Sequence, residues 1–302
     1  MARILVTGAA GLIGGAVAER LRSEGREVVG VDIVDRGGAE PGLRLAPLED
    51  LDRLQAAVGP GQLAAIVHCG AISGPMLAKG DPQAIIRSNM IGLTNVVALA
   101  LEYETIRLVF CSSVSVYGNA SGGPGPERQA LSPTSLYGAS KAAGEALLTG
   151  FAAEYGLSAI SLRIARVYGP GRRGNCLIKT AIERYQAGET AEIPCDPAFV
   201  YHYVYIDDVV DAIAAAMATP WTGHGVFNIS GPRPQTMPEI VEDLRAALPG
   251  ADIRMVPGVD DVPDVQHWFD LEAARAALAW TPKRSIVEGA RAYASHLARV
   301  KL

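Results

Sequence analysis

The first residues form an arrangement few folds can use. The apolar run Ile4-Leu5-Val6 passes through Thr7 into Gly8-Ala9-Ala10-Gly11-Leu12-Ile13-Gly14, and an amphipathic stretch from Ala16 to Arg22 follows. This reads as strand, tight turn and helix. Without side chains at Gly8 and Gly11, the backbone can approach a pyrophosphate at the helix N-terminus, where Leu12 and Ile13 stand. Gly14 lets that helix pack close on the strand. A second strand, Glu27 to Val31, ends at Asp32. A carboxylate there can accept hydrogen bonds from both hydroxyls of an adenosine ribose and would repel a 2′-phosphate. The expected cofactor is therefore NAD rather than NADP. Arg36, in the Asp35-Arg36-Gly37-Gly38 turn, is the residue that could instead face a phosphate.

The same pattern continues along the chain. Ala65 to Cys69, Arg107 to Cys111 and Ser158 to Ile164 read as further short apolar strands, and helical patterns lie between them. Alternation of this kind predicts an α/β fold with a doubly wound parallel sheet of Rossmann type. Asp81-Pro82-Gln83 supplies a cap and a first-turn proline for a long helix over Ala84 to Tyr103. Asn119 to Pro133, rich in Gly, Pro and Ser, reads as a loop.

After Pro170 the pattern loosens: a helix over Leu177 to Ala187, a strand-like Phe199 to Tyr205, helices over Asp207 to Ala218 and Met237 to Ala247, then an irregular stretch from Pro249 to His267. We expect a dinucleotide-binding domain over 1–170, with a contribution from about 204–230, and a smaller, mainly substrate-binding lobe over 171–302. Open α/β sheets bind ligands at the carboxyl ends of their strands, and the lobe would lie there.

Tyr137 and Lys141 sit four positions apart in Ser135-Leu136-Tyr137-Gly138-Ala139-Ser140-Lys141. On a helix this spacing stacks phenol and ammonium on one face. A neighbouring cation favours the phenolate, so the pair is a candidate for proton transfer.

Taken together, the glycine loop, His68-Cys69-Gly70-Ala71, Ser112-Ser113 followed by Tyr117-Gly118, and Tyr137-x-x-x-Lys141 resemble the extended short-chain dehydrogenase/reductase family. Its sugar-nucleotide epimerase/dehydratase branch is the nearest likeness. Leu162-Arg163 to Gly169-Pro170, Val204 to Val209, and Leu278-Ala279-Trp280-Thr281-Pro282 follow in the family's order, so the likeness spans nearly the whole chain. It implies hydride transfer between NAD and a secondary alcohol of a sugar or sugar acid. In that reading Tyr137 is the general base, Lys141 lowers the phenol pKa and holds the nicotinamide ribose, and Ser113 hydrogen-bonds the reacting oxygen. Ser112 is the register alternative. Leu48, Cys69, Gly70, Ala71 and Asn89 are expected at the cofactor; Ser73, Ser113, Ser115, Arg166 and Arg172 at the substrate.

Departures from the family pattern bear on the substrate. Nucleotide-sugar members usually begin the segment written here as Tyr201 to Asp208 with a diphosphate-binding arginine, and this chain has Tyr201. A second such arginine is expected near Asp260, Asp261 and Val262, where the sequence is acidic. Arg166 stands where asparagine is common, and a guanidinium there can take a carboxylate. These three departures favour a small sugar or sugar acid, with a UDP-sugar 4-epimerase as the alternative. A non-catalytic NAD-binding sensor is a second alternative, against which the retained tyrosine and lysine weigh. Water-eliminating members carry Asp-Glu after the catalytic hydroxyl; Val114 and Ser115 occupy those places, which argues against a dehydratase. Pro47 replaces an aspartate that contacts adenine.

Of the 302 residues, 49% are hydrophobic and 20% charged, enough for a sizeable core. A formal charge of -5 without a dense basic run argues against nucleic acid and anionic membranes. We expect no signal peptide, no apolar run of membrane-spanning length, and a cytoplasmic location. Cys69, Cys111, Cys176 and Cys195 lack metal-ligand spacing, and neither metal nor disulfide is predicted. Apolar surface on the helices over 84–103 and 137–155, which pair across a twofold axis in the family, suggests a homodimer.

Overall fold

Alternation within single strands decides the layering. In the strand Arg3–Thr7, Ile4 and Val6 enter one hydrophobic core and Leu5 the other. Val109 and Leu108 divide in the same way later in the chain. A strand buried on both faces needs helices on both sides, which is the doubly wound solution.

The computed structural model describes residues 3–35, 42–73, 80–119, 125–174, 176–258, 264–265 and 268–300. The expectations placed on Arg36, Gly37 and Gly38, and on Asp260, Asp261 and Val262, lie outside those residues.

The strands are β1 (Arg3–Thr7), β2 (Val28–Asp32), β3 (Arg44–Leu45), β4 (Leu63–His68), β5 (Arg107–Ser113), β6 (Ala159–Ile164), β7 (Arg166–Tyr168), β8 (Ala191–Cys195), β9 (Val200–Tyr201), β10 (Tyr203–Tyr205), β11 (His224–Ile229), β12 (Gln235–Thr236) and β13 (Ile253–Pro257). The main helices are α1 (Leu12–Ser23), α2 (Leu51–Val58), α3 (Pro82–Ile85), α4 (Gly92–Glu102), α5 (Leu136–Tyr155), α6 (Leu177–Ala187), α7 (Ile206–Ala218), α8 (Met237–Ala247), α9 (Glu272–Leu278) and α10 (Ile286–Val300). Seven parallel strands form the central sheet in the order β11-β6-β5-β4-β1-β2-β3.

The five strands read from the sequence are present with ends shifted by a residue or two, and the helices over 177–187 and 237–247 have the expected bounds. The second half of the chain needs correction. Phe199 to Tyr205 is two strands, β9 pairing antiparallel with β12 and β10 pairing parallel with β7. The stretch read as irregular from Pro249 contains β13, which pairs with β8. These strands are too short to show a period, and their partners are distant in sequence.

The expected long helix runs from Pro82 to Glu102, with a π-helical segment, Ile86–Ile91, joining α3 to α4. By length and composition it is apolar enough to cross a membrane, contrary to the reading of the sequence. Leu93, Val96, Val97 and Leu99 are fully buried against the sheet, so this apolarity belongs to the core.

Two glycines in the first loop are fixed by sterics. Gly8 has φ +67°, and a Cβ on it would lie 2.7 Å from the Gly70 nitrogen. A Cβ on Gly14 would lie 2.2 Å from the Gly8 carbonyl oxygen. Gly14→Ala should therefore push α1 off the loop, costing about 2 kcal/mol as an overpacked contact. Urea unfolding of the variant beside the parent measures it.

Candidate active site

The site gathers at the carboxyl ends of β1, β4 and β5. At its entrance α1 begins at Gly11 in extended conformation with no side-chain cap, so the dipole-bearing N-terminus stays open toward an anion. Asp32, at the end of β2, is held by backbone donors: Oδ2 accepts from Ala10 N (2.9 Å), Oδ1 from Ile33 N (2.7 Å) and Val34 N (3.2 Å). An ionised carboxylate retains lone pairs beyond these three bonds, enough for ribose hydroxyls. The uncapped helix, the glycine turn that no Cβ can enter, and this acceptor fit a dinucleotide with an unmodified ribose.

The wall after β4 is locked from behind. Gly70 N donates to Thr7 Oγ1 (3.2 Å), and that hydroxyl meets His68 Nδ1 at 2.7 Å. Asn89, in the π-helical segment, is buried at 3% exposure. Its Oδ1 accepts from Ile72 N (2.8 Å), and its Nδ2 donates to Ile72 O (3.2 Å) and Ser140 Oγ (3.0 Å). It is not a surface amide. It clamps the loop Cys69-Gly70-Ala71-Ile72 to α5, and Ser73, at the end of that loop, is exposed.

Leu48 packs behind the same wall. Its side chain lies in the core beneath Gly70 and Gly92, and its carbonyl accepts from Asn95 Nδ2 at 2.8 Å.

Strand alternation settles the serine register. Ser112 donates to Glu145 Oε1 at 2.5 Å, whereas Ser113, on the opposite face of the strand, acts on the Tyr137 phenol and lowers its pKa. Ser113 Oγ also donates to Ser115 Oγ (3.2 Å) and accepts from Ser115 N (3.2 Å). Ser113 and Ser115 thus form a hydroxyl pair at the end of β5. Ser135 caps the helix that carries the tyrosine by accepting from Gly138 N.

Lys141 is buried on the same helix face, where Nζ donates to Cys111 O (2.7 Å) and lies 5.9 Å from the Tyr137 ring centroid. Burial pulls its pKa down to about 8. Burial also pushes the Tyr137 phenol up to about 12, against a smaller downward effect of Ser113. This corrects the expectation that Lys141 brings the phenol toward neutral pH. Desolvation dominates, and the Lys141 ammonium, whose nearest partner is a carbonyl oxygen, is not among the causes that lower the phenol.

Arg166 and Arg172 are placed by the elements that follow. The Arg166 guanidinium lies over the Tyr201 ring, 5.3 Å from its centroid, and Arg172 Nη1 donates to Val167 O (3.3 Å).

Several residues escaped the sequence reading. Glu145 and Arg163 form a salt bridge of 2.6 Å with both side chains about 5% exposed. Arg163 also reaches Tyr117 (2.8 Å), and Tyr117 donates to Asn228 (2.7 Å). Glu145 follows Lys141 by four positions, the spacing that identified Tyr137 and Lys141, and could have been found by extending it one turn.

The fold and this cluster define a class: an oxidoreductase built on a dinucleotide-binding sheet, with a phenol, a hydroxyl and an ammonium at the strand ends. The model of the NAD dependent epimerase/dehydratase family matches residues 4–230, and the chain belongs to that family. It is 31% identical over 315 residues to a UDP-glucose 4-epimerase of Mycolicibacterium smegmatis, covering 95% of this chain and 96% of that relative. Among solved structures it is similar to the UDP-glucose 4-epimerase with UDP-glucose from Thermotoga maritima (TM-score 0.90, 29% identity, 99% of this chain and 100% of that one). The UDP-glucose 4-epimerase of Thermus thermophilus in complex with NAD is also similar (TM-score 0.86, 27% identity, 98% and 99%).

His68 gives the site a pH signature. Complete burial, aided by the nearby Lys141 charge, lowers its pKa to about 3. The unfolded chain takes up a proton near pH 6.5 that the folded chain refuses until about pH 3. The contribution of His68 is thus present above about pH 6.5 and is lost as pH falls through that window, by up to about 1.4 kcal/mol per pH unit. Urea midpoints at pH 7 and pH 5 should show this loss, and His68→Gln should flatten it.

Proposed function

We propose that this enzyme transfers a hydride between NAD and a secondary alcohol carbon of a sugar or sugar acid, with Tyr137, Ser113 and Lys141 as its catalytic residues. The observation that carries the reading is the placement of Tyr137 and Lys141 on one face of α5, the ammonium 5.9 Å from the phenol ring centroid, with Ser113 at the end of β5 acting on that phenol and the glycine-rich cradle beside them. Gly8, Gly11, Leu12, Ile13 and Gly14 would hold the pyrophosphate, Asp32 the adenosine ribose, and Cys69, Gly70 and Ala71 the inner wall. Bound oxidised NAD supplies the hydride acceptor and a positive ring charge.

The residues handle the proton. In oxidation Tyr137 Oη takes the proton from the substrate hydroxyl while Ser113 holds the same oxygen; in reduction Tyr137 returns it. A phenol pushed up to about 12 is a ready donor at neutral pH, and as an acceptor it depends on added positive charge in the cleft. Lys141 supplies part of that charge and is positioned to meet the nicotinamide ribose.

The substrate reading rests on Arg166, Tyr201 and the sequence near Asp260. A guanidinium stacked on an aromatic ring is oriented to receive a carboxylate, and Ser73, Ser115 and Arg172 complete the proposed pocket. A second reading, a UDP-sugar 4-epimerase, is favoured by the similar proteins named above. Absorbance of reduced nicotinamide separates the two: a net dehydrogenase accumulates it with substrate, and an epimerase converts a UDP-sugar without net change.

We further infer a dinucleotide domain over 1–170 completed by part of 204–230, in which α7 and β11 fall, with substrate contacts mainly from 171–302. A homodimer would cover Ile86, Ile91 and Tyr155, exposed on neighbouring helices.

Tyr137→Phe should lower kcat by about a hundredfold to ten-thousandfold while NAD binding persists; parental turnover would overturn the assignment. Arg166→Ala should raise KM for an acid substrate by roughly tenfold to a hundredfold, the worth of a charged hydrogen bond, and far less for a neutral sugar. Equal effects on both would remove the carboxylate.

A further inference from the structure

Cys69 and Cys111 lie on the wall of the proposed cofactor cleft, and their sulfurs are in contact. The parallel pairing of β4 with β5 places His68 opposite Phe110, so the next step of the same register brings Cys69 opposite Cys111. Their Sγ atoms are 3.4 Å apart, and both thiols are free. Neighbouring strands run about 4.8 Å apart, within the usual Cα separation of a disulfide. Closing the bond needs the two sulfurs to approach further, by local shifts at the strand ends rather than by sliding of whole strands.

Three features distinguish this pair from two packed cysteines. Cys69 is only partly buried whereas Cys111 is buried, so the pair sits at the margin of the core. The Lys141 ammonium is anchored on the carbonyl of Cys111 itself and acts electrostatically on both sulfurs. The two thiols also hydrogen-bond each other, which lowers Cys111 and raises Cys69. Of the two, Cys111 is the one lowered, by its bond to Cys69 and by the Lys141 charge, so it is the sulfur that ionises first.

We propose that Cys69 and Cys111 are a covalent modification site, an oxidisable dithiol that peroxides convert to an intramolecular disulfide. The thiolate of the pair attacks one peroxide oxygen: an S–O bond forms, the O–O bond breaks, and the departing hydroxide takes up the proton released at ionisation, giving water. The second sulfur then displaces the sulfenic hydroxyl, forming the S–S bond. Its own proton leaves with that hydroxyl as a second water. The two thiols lose two electrons and the peroxide gains them.

The bond would act on the cleft through both of its ends. The Cys69 carbonyl carbon and the Gly70 nitrogen already stand 2.8 and 2.7 Å from where a Gly8 Cβ would be, so this loop has no slack against the glycine turn. Drawing Cys69 toward Cys111 pulls the loop off that turn, and at the other end it shifts the carbonyl that seats Lys141. Oxidation therefore weakens dinucleotide binding, a consequence that rests on the NAD reading above. The cross-link itself does not.

The test treats the purified enzyme with hydrogen peroxide and follows two readouts. Peptide mass spectrometry should find the Cys69 and Cys111 peptides joined with loss of two hydrogens. Titration calorimetry should find the NAD dissociation constant raised by about tenfold, with both changes reversed by dithiothreitol. Cys195→Ala should respond like the parent, and Cys111→Ala should give neither the cross-link nor the reversible change. Absence of the cross-link in the parent overturns the proposal even if Cys111→Ala fails to fold. A cross-link without change in affinity overturns the coupling to the cleft. A reduced enzyme that binds no NAD would instead overturn the cofactor reading, leaving the peptide result to decide the dithiol.

Discussion

The carboxylate of Glu145 is buried between three elements that must share one geometry. It accepts from Arg163 on β6 through Nε and Nη2 and from Ser112 on β5, while its own helix, α5, carries Tyr137 and Lys141. A charge pair in so dry a place holds only when nearly every donor and acceptor is met. Arg163 meets this demand by also reaching Tyr117 and the Glu127 carbonyl, and Asn228 extends the network to β11 at the sheet edge. The helix that carries Tyr137 and Lys141 is thus seated on its strands by directional bonds rather than by apolar contact alone. A slide along the sheet would strand a charge.

That seating explains how the site distributes its protons. His68, stacked on Phe110 with ring centroids 5.7 Å apart, is kept neutral by burial and by the nearby ammonium. Lys141 itself lies 4.6 Å from the same Phe110 ring, bonded to a backbone carbonyl and within the field of Glu145. One cation in this apolar floor is stabilised because the adjacent imidazole does not become a second. Tyr137, left without a close counter-charge, remains a protonated phenol near neutral pH. The cleft is poised to give a proton and needs further positive charge to accept one.

Much of this was legible in the sequence because it rests on local rules. The glycine turn, Asp32 at the end of the second strand, and the spacing of Tyr137 and Lys141 each follow from residue type and short-range geometry. Strands β1, β2, β4, β5 and β6 carried the apolar runs expected of a sheet covered on both faces. What escaped was set by partners far along the chain. Nothing beside Leu48 announces that Asn95 takes its carbonyl, and the pairing of β13 with β8 joins segments with two helices and four strands between them. The π-helical turn that aims Asn89 inward has no sequence signature of its own.

The sequence by itself determined the fold class, the carboxylate at the end of the second strand and the pair of groups on one helix face, since backbone conformation and helical period act over a few residues. Only tertiary structure decided which serine faces the phenol, that burial rather than the lysine sets the phenol's acidity, and that two cysteines 42 positions apart touch. These depend on desolvation and on contacts across strands, which exist only once the chain has closed around them.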